Sequence, residues 1–137
     1  MTDYDRYVKA LSRFVGGPKD RPEYQKVMLL GGHLYATNGI ICARAAVDER
    51  SGPELTVYQT NICQGIDRVI ANLHPGGASG EFHADFDQLA KVAKAWRDIH
   101  GGRCPCGARL YPCRNGLTRI DMRCAGLVVA ILGMAKI

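Results

Sequence analysis

Residues 26–47 read KVMLLGGHLYATNGIICARAAV, and this stretch decides the fold class. Lys26 to Leu30 is a short apolar run with strand character. Gly31-Gly32 follows it, a pair that accepts positive φ and suits a two-residue hairpin turn. His33-Leu34-Tyr35-Ala36-Thr37 then reads as the returning strand, and Asn38-Gly39 is a second turn signal. Ile40 to Val47 completes a three-stranded meander, with Arg44 its one charged member.

Outward from the meander, a helix is expected on the N-terminal side. Tyr4, Tyr7, Val8, Leu11 and Val15 recur at spacings of three and four, with Arg6, Lys9 and Arg13 between them. Thr2 or Asp3 can cap its start, and Gly16-Gly17-Pro18 ends it. Helix followed by meander then recurs in the second half. Asp85 precedes a helix over 86–99, with Phe86, Leu89, Val92, Ala93, Trp96 and Ile99 as its expected apolar stripe and Lys91, Lys94 and Arg97 off it. Strands are expected at Ala108–Cys113, Leu117–Cys124 and Leu127–Leu132. Between the halves, Leu55 to Tyr58 has strand character, Asn61 to Leu73 suits a short helix, and 74–80 is a glycine-rich connector. The pattern is a single α+β domain over 1–137: halves at about 1–48 and 81–137 related by a pseudo-twofold repeat, and a less regular insertion at 49–80.

This layout resembles one domain of the bacterial and phage DNA polymerase sliding clamps. The resemblance rests on the N-terminal helix, the Gly16-to-Pro22 connection, Val27 to Leu30, Gly31-Gly32 and His33 to Gly39. The family commonly carries a leucine-containing strand running into Ala-Thr-Asp-Gly or similar. Phe82 to Ala95 looks like the strand and second helix of such a domain, and the likeness covers roughly three-quarters of the chain. It departs from the family in two places: little room precedes the first helix for an opening strand, and 49–78 is extra. The resemblance implies that Arg6, Lys9, Arg13, Lys91, Lys94 and Arg97 face DNA phosphates, where cations displace condensed counterions without reading bases. A clamp ring contains six such domains, so this chain would encircle duplex DNA as a homo-oligomer, or else serve another role with a clamp-like body. For the same charges the plainer alternative is solvation of two outer helix faces, the commoner fate of such stripes.

Composition is compatible with this and does not demand it. Eighteen basic against 13 acidic residues leave a net charge of +5, with 47% hydrophobic residues, as in an ordinary globular domain. The acidic N-terminus lacks the apolar run of a secretory signal, and 125–135 is too short an apolar stretch to span a bilayer. The expectation is a cytoplasmic protein without a membrane partner, its six cysteines reduced.

Four of those cysteines lie at the C-terminal end. If Asn115-Gly116 formed a two-residue turn, Gly107 would fall opposite Cys124, gathering Cys104, Cys106 and Cys124 near His100 and leaving Cys113 about 20 Å away. His100, Cys104, Cys106 and Cys124 are therefore the candidate structural-zinc set, although Cys-x-Cys is a weaker chelate than the usual Cys-x₂-Cys. Reduced, partly buried thiols are the alternative; Cys42 and Cys63 lie in apolar segments and read as core. Arg103, Arg109, Arg114, Arg119 and Arg123 crowd the same hairpin, as a second anion-contacting surface or a charge-protected sheet edge. His33, His74 and His83 are isolated, and no catalytic triad, phosphate loop or metalloprotease motif is present. The leading expectation is a non-enzymatic, cofactor-free clamp-like protein in DNA transactions, contacting duplex DNA or docking a replication protein. A small adaptor or inhibitor that binds a protein partner, replicative or regulatory, through a clamp-like fold and a zinc-stabilised regulator are the alternatives.

Overall fold

The computed structural model describes residues 3–48, 52–71, 86–100, 108–112, 118–122 and 127–131. Helix α1 (Asp3–Leu11) tightens into a 3-10 turn at Ser12–Phe14 and then turns extended at Val15. The Ser12 hydroxyl donates to the Lys9 carbonyl, a local bond that competes with continued α-helix. The expected helix through Val15 therefore ends early, and Phe14, absent from the expected stripe, is fully buried.

Strands β1 (Met28–Leu30), β2 (His33–Thr37) and β3 (Ile41–Ala46) form the predicted meander. Leu30 pairs with His33, so Gly31 and Gly32, at φ 58° and 78°, make the two-residue hairpin turn. The β2–β3 turn is held by side chains. Asn38 Oδ1 accepts from the Ile40 and Ile41 amides, while Thr37 Oγ1 accepts from Gly39 N and donates to the Ile41 carbonyl.

After α2 (Val57–Ala71) and α3 (Phe86–His100) come β4 (Ala108–Pro112), β5 (Thr118–Met122) and β6 (Leu127–Ile131). The six strands form one antiparallel sheet in the order β1-β2-β3-β6-β5-β4, joined centrally where β6 pairs with β3. The mixed helix and antiparallel-sheet class is the expected α+β.

Both faces of the sheet are covered. Leu34, Ala36, Ile41, Ala43, Ala45, Ile120, Leu127 and Val129 pack with Ala10, Leu11 and Phe14 from the α1 side and with Val92, Ala95 and Ile99 of α3. The alternate residues Met28, Tyr35 and Cys42 pack with Cys63, Ile66 and Ile70 of α2 on the opposite face. Among the described residues the core thus forms two clusters separated by the sheet. Small Ala36, Ala43 and Ala45, fully buried, leave room for the α1 and α3 backbones to approach it. Within α3 the expected stripe needs one change: Ala93 is exposed and Ala95 takes the buried place, while the Phe86 and Leu89 side chains lie outside the described residues.

Residues 55–58 do not form a strand, and the helix expected from Asn61 starts at Val57 instead. Thr56 and Gln59 make a reciprocal cap, Thr56 N to Gln59 Oε1 at 2.9 Å and Gln59 N to Thr56 Oγ1 at 3.1 Å, which starts α2 at Val57. The C-terminal hairpin pairs Pro112 with Thr118 and Leu110 with Ile120, one residue out of step with the two-residue-turn reading. A one-residue slip exchanges the two faces of a strand. Because Ile120 also pairs with buried Val129, the observed register keeps Ile120 on the α1/α3 side of the sheet.

Two substitutions check α2. Thr56→Ala removes half of the cap and should lower stability by about 1 kcal/mol. Gly65→Ala should raise it by ~0.5–1 kcal/mol, because a methyl there meets nothing nearer than Arg68 Nη2 at 3.9 Å. Denaturant midpoints at unchanged m-value measure both.

Candidate nucleic-acid interface

Helices α1 and α3 lie together on one face of the sheet, each burying its apolar stripe in the same core cluster. Their other sides face solvent. Arg6, Lys9 and Arg13 are exposed on the α1 side; on α3, Lys94 and Arg97 are exposed and Lys91 is half-exposed. Acids stand in the first turns, Asp3 and Asp5 on α1 and Asp87 on α3, where the helix dipole favours them. The cations follow along each helix.

Asp98 interrupts this basic surface. Its side chain is only 8% exposed, and its carboxylate accepts from Arg13 Nε at 2.9 Å and Arg13 Nη2 at 3.4 Å. Lys9 Nζ lies 3.7 Å from the same carboxylate. The hydrogen bond to Asp98, and then its charge, push the Arg13 pKa up, keeping the guanidinium charged at every accessible pH. Among the described residues no ion pair engages Arg6, Lys91, Lys94 or Arg97. The six cations expected to act alike thus fall into two groups. Asp98 carried only a weak sequence signal, as an acid directly after Arg97.

A second polar group lies on the opposite face. The Tyr35 hydroxyl donates to Asp67 Oδ1 and Oδ2 at 2.9 and 3.0 Å, and Arg44 Nη1 donates to Asp67 Oδ1 at 2.8 Å. Arg44, the one charge of β3, therefore ties the sheet to α2. Burial, and then the hydrogen bond to Asp67, push the Tyr35 phenol well up. Burial first and Asp67 second push the adjacent Cys63 thiol up to about 12. Cys42 and Cys63 are both buried, as expected of core cysteines. This group joins two layers, and its geometry holds no nucleophile in an activated state.

At the β1 edge, a cleft of about 420 Å³ opens between Tyr4 and Val8 of α1, Leu29 and Leu34 of the sheet, and Leu55, with Lys26 among its lining residues. Near the start of α2, the Arg21 guanidinium stacks 4.4 Å over the Tyr58 ring, and Tyr24 meets Tyr58 edge-on. Cys104, Cys106 and Cys124 lie outside the described residues, as does the side chain of His100. Arg103, Arg114 and Arg123 also lie outside; Arg109 is the register partner of Asp121, and Arg119 of Tyr111.

The α2 contacts make three predictions. Tyr35→Phe should cost about 1 kcal/mol, because Asp67 keeps Arg44 as partner. Native Cys63 should resist iodoacetamide at about pH 8 and react once the chain is unfolded; alkylation of the folded protein, seen by peptide mass mapping, would contradict the buried placement. The pH dependence has a definite sign. Above about pH 9 the unfolded chain releases the Cys63 proton while the folded chain holds it up to about 12, so stability falls across that window.

Among the described residues no helix is long and apolar enough to cross a membrane. Comparison with known proteins finds no matching family model, no matching curated protein and no matching solved structure.

Proposed function

We propose that the protein acts without catalysis, as a clamp-like module whose α1/α3 face contacts the phosphate backbone of duplex DNA. The observation that carries this is Arg6, Lys91, Lys94 and Arg97, four cations without an ion-pair partner among the described residues, on two helices that share one side of the sheet. A duplex presents repeated charge and needs no shaped pocket, so an outward basic helix pair suffices for sequence-indifferent, salt-sensitive binding. Two side-by-side helices over joined meanders, each meander preceded by a helix, support the sliding-clamp resemblance; α2 on the far face is an addition to that plan. Encirclement would require about six copies, and solution mass distinguishes a ring from a monomer that binds DNA from one side.

A protein-docking reading draws on a different observation. Val57, in the first turn of α2, is 79% exposed beside the exposed Tyr58, and aromatic residues with a stacked arginine suit a partner surface. A stable monomer without affinity for DNA would favour that reading.

The DNA reading is tested by the triple charge reversal Lys91→Glu, Lys94→Glu and Arg97→Glu, assayed by fluorescence anisotropy on random-sequence duplex. The wild type should bind with an affinity that falls as salt rises, and the reversal should remove most of that affinity. The lost contacts should flatten the salt dependence by about 0.9 per phosphate. Unchanged binding would exclude the α3 face.

A further inference from the structure

We propose that Asp98 divides the basic face, closing Arg13 to DNA and leaving the phosphate contact to the α3 cations and Arg6; this rests on the DNA reading above. Asp98 is the least exposed member of the group, at 8%, whereas the side chains of Arg13 and Lys9 are 38% and 55% exposed. The carboxylate is thus nearly withdrawn from water and depends on its cations for compensation.

A phosphate approaching Arg13 meets a guanidinium whose Nε and Nη2 already bond to Asp98. Carboxylate and phosphate compete for the same planar fork. Moving Arg13 to a phosphate would leave a mostly buried carboxylate without its strongest partner, a costly exchange. Lys9, at 3.7 Å, is held more loosely and is only partly withdrawn.

Asp98 also places a negative charge among these cations and lowers the local potential. On α3, Lys94 and Arg97 have no such partner among the described residues. The contact is therefore weighted toward α3, although α1 and α3 look equally basic as sequences.

The test compares three variants of the full chain by anisotropy on random-sequence duplex across a NaCl series, with thermal melts as folding controls. Lys94→Gln should weaken binding and flatten the slope of log K against log salt by about 0.9. The charge-neutral double variant Arg13→Gln with Asp98→Asn should leave affinity within about twofold and the slope unchanged, because counterion release comes only from cations that meet phosphates. Asp98→Asn alone should bind more tightly, with a slope steeper by about 0.9, as Arg13 becomes available. A double variant that weakens binding as much as Lys94→Gln overturns the division by Asp98 while leaving the DNA reading intact. A wild type without affinity for duplex DNA removes both. If Asp98→Asn alone fails to fold, the double variant still decides the matter, since it removes both charges of the pair together.

Discussion

The pairing of β3 with β6 is the constraint on which the rest of the molecule depends. Each meander is local in sequence, but a three-stranded sheet on its own would leave an open edge and an apolar face. Joining β3 to β6 places Ala43 beside Val129 and Ala45 beside Leu127, all fully or almost fully buried, beneath the α1/α3 layer. The same ladder sets Arg44 beside Val128 on the other face, where Arg44 reaches Asp67 and Val128 packs against the α2 cluster. One antiparallel ladder therefore aligns both layers of the core.

That ladder also makes a single surface from two basic helices. α1 and α3 bury their apolar stripes over the same alanine-lined centre of the sheet, and their charged sides are left to solvent together. Such packing brings acids as well as bases into reach. Asp98 meets Arg13 and Lys9 across the helix pair, over 85 residues of sequence in the case of Arg13. The electrostatic character of the face is thus a property of the packing and not of either helix alone. Local strand and helix patterns are set within about ten residues, whereas charge compensation is set between layers.

Much of the architecture was legible in the residues. The two hairpin turns of the first meander followed from Gly31-Gly32 and Asn38-Gly39, and the helices followed from apolar spacing, each to within a few residues. What misled was the neglect of a local polar signal or a distant pairing partner. Thr56-Val57-Tyr58-Gln59 has β-branched and aromatic character in its middle, yet its outer residues are a reciprocal helix cap, and the cap prevailed. The turn alone gives one register for the hairpin of β4 and β5, but β5 must also match β6, and that second partner sets the register. Ala93 and Ala95 differ little in periodicity; which of them is buried depends on how α3 is rotated against the sheet.

The sequence by itself determined the α+β class, the first meander, the existence of three helices and the six basic residues on two of them, because each rests on local propensity and periodicity. Only the tertiary structure decided that the six strands form one sheet, that α2 covers the face opposite α1 and α3, and that Tyr35, Arg44 and Asp67 join those layers. It alone separated Arg13 and Lys9 from Arg6, Lys91, Lys94 and Arg97, since an ion pair depends on distance in space, and Asp98 comes near Arg13 only when two helices far apart in the chain share one sheet.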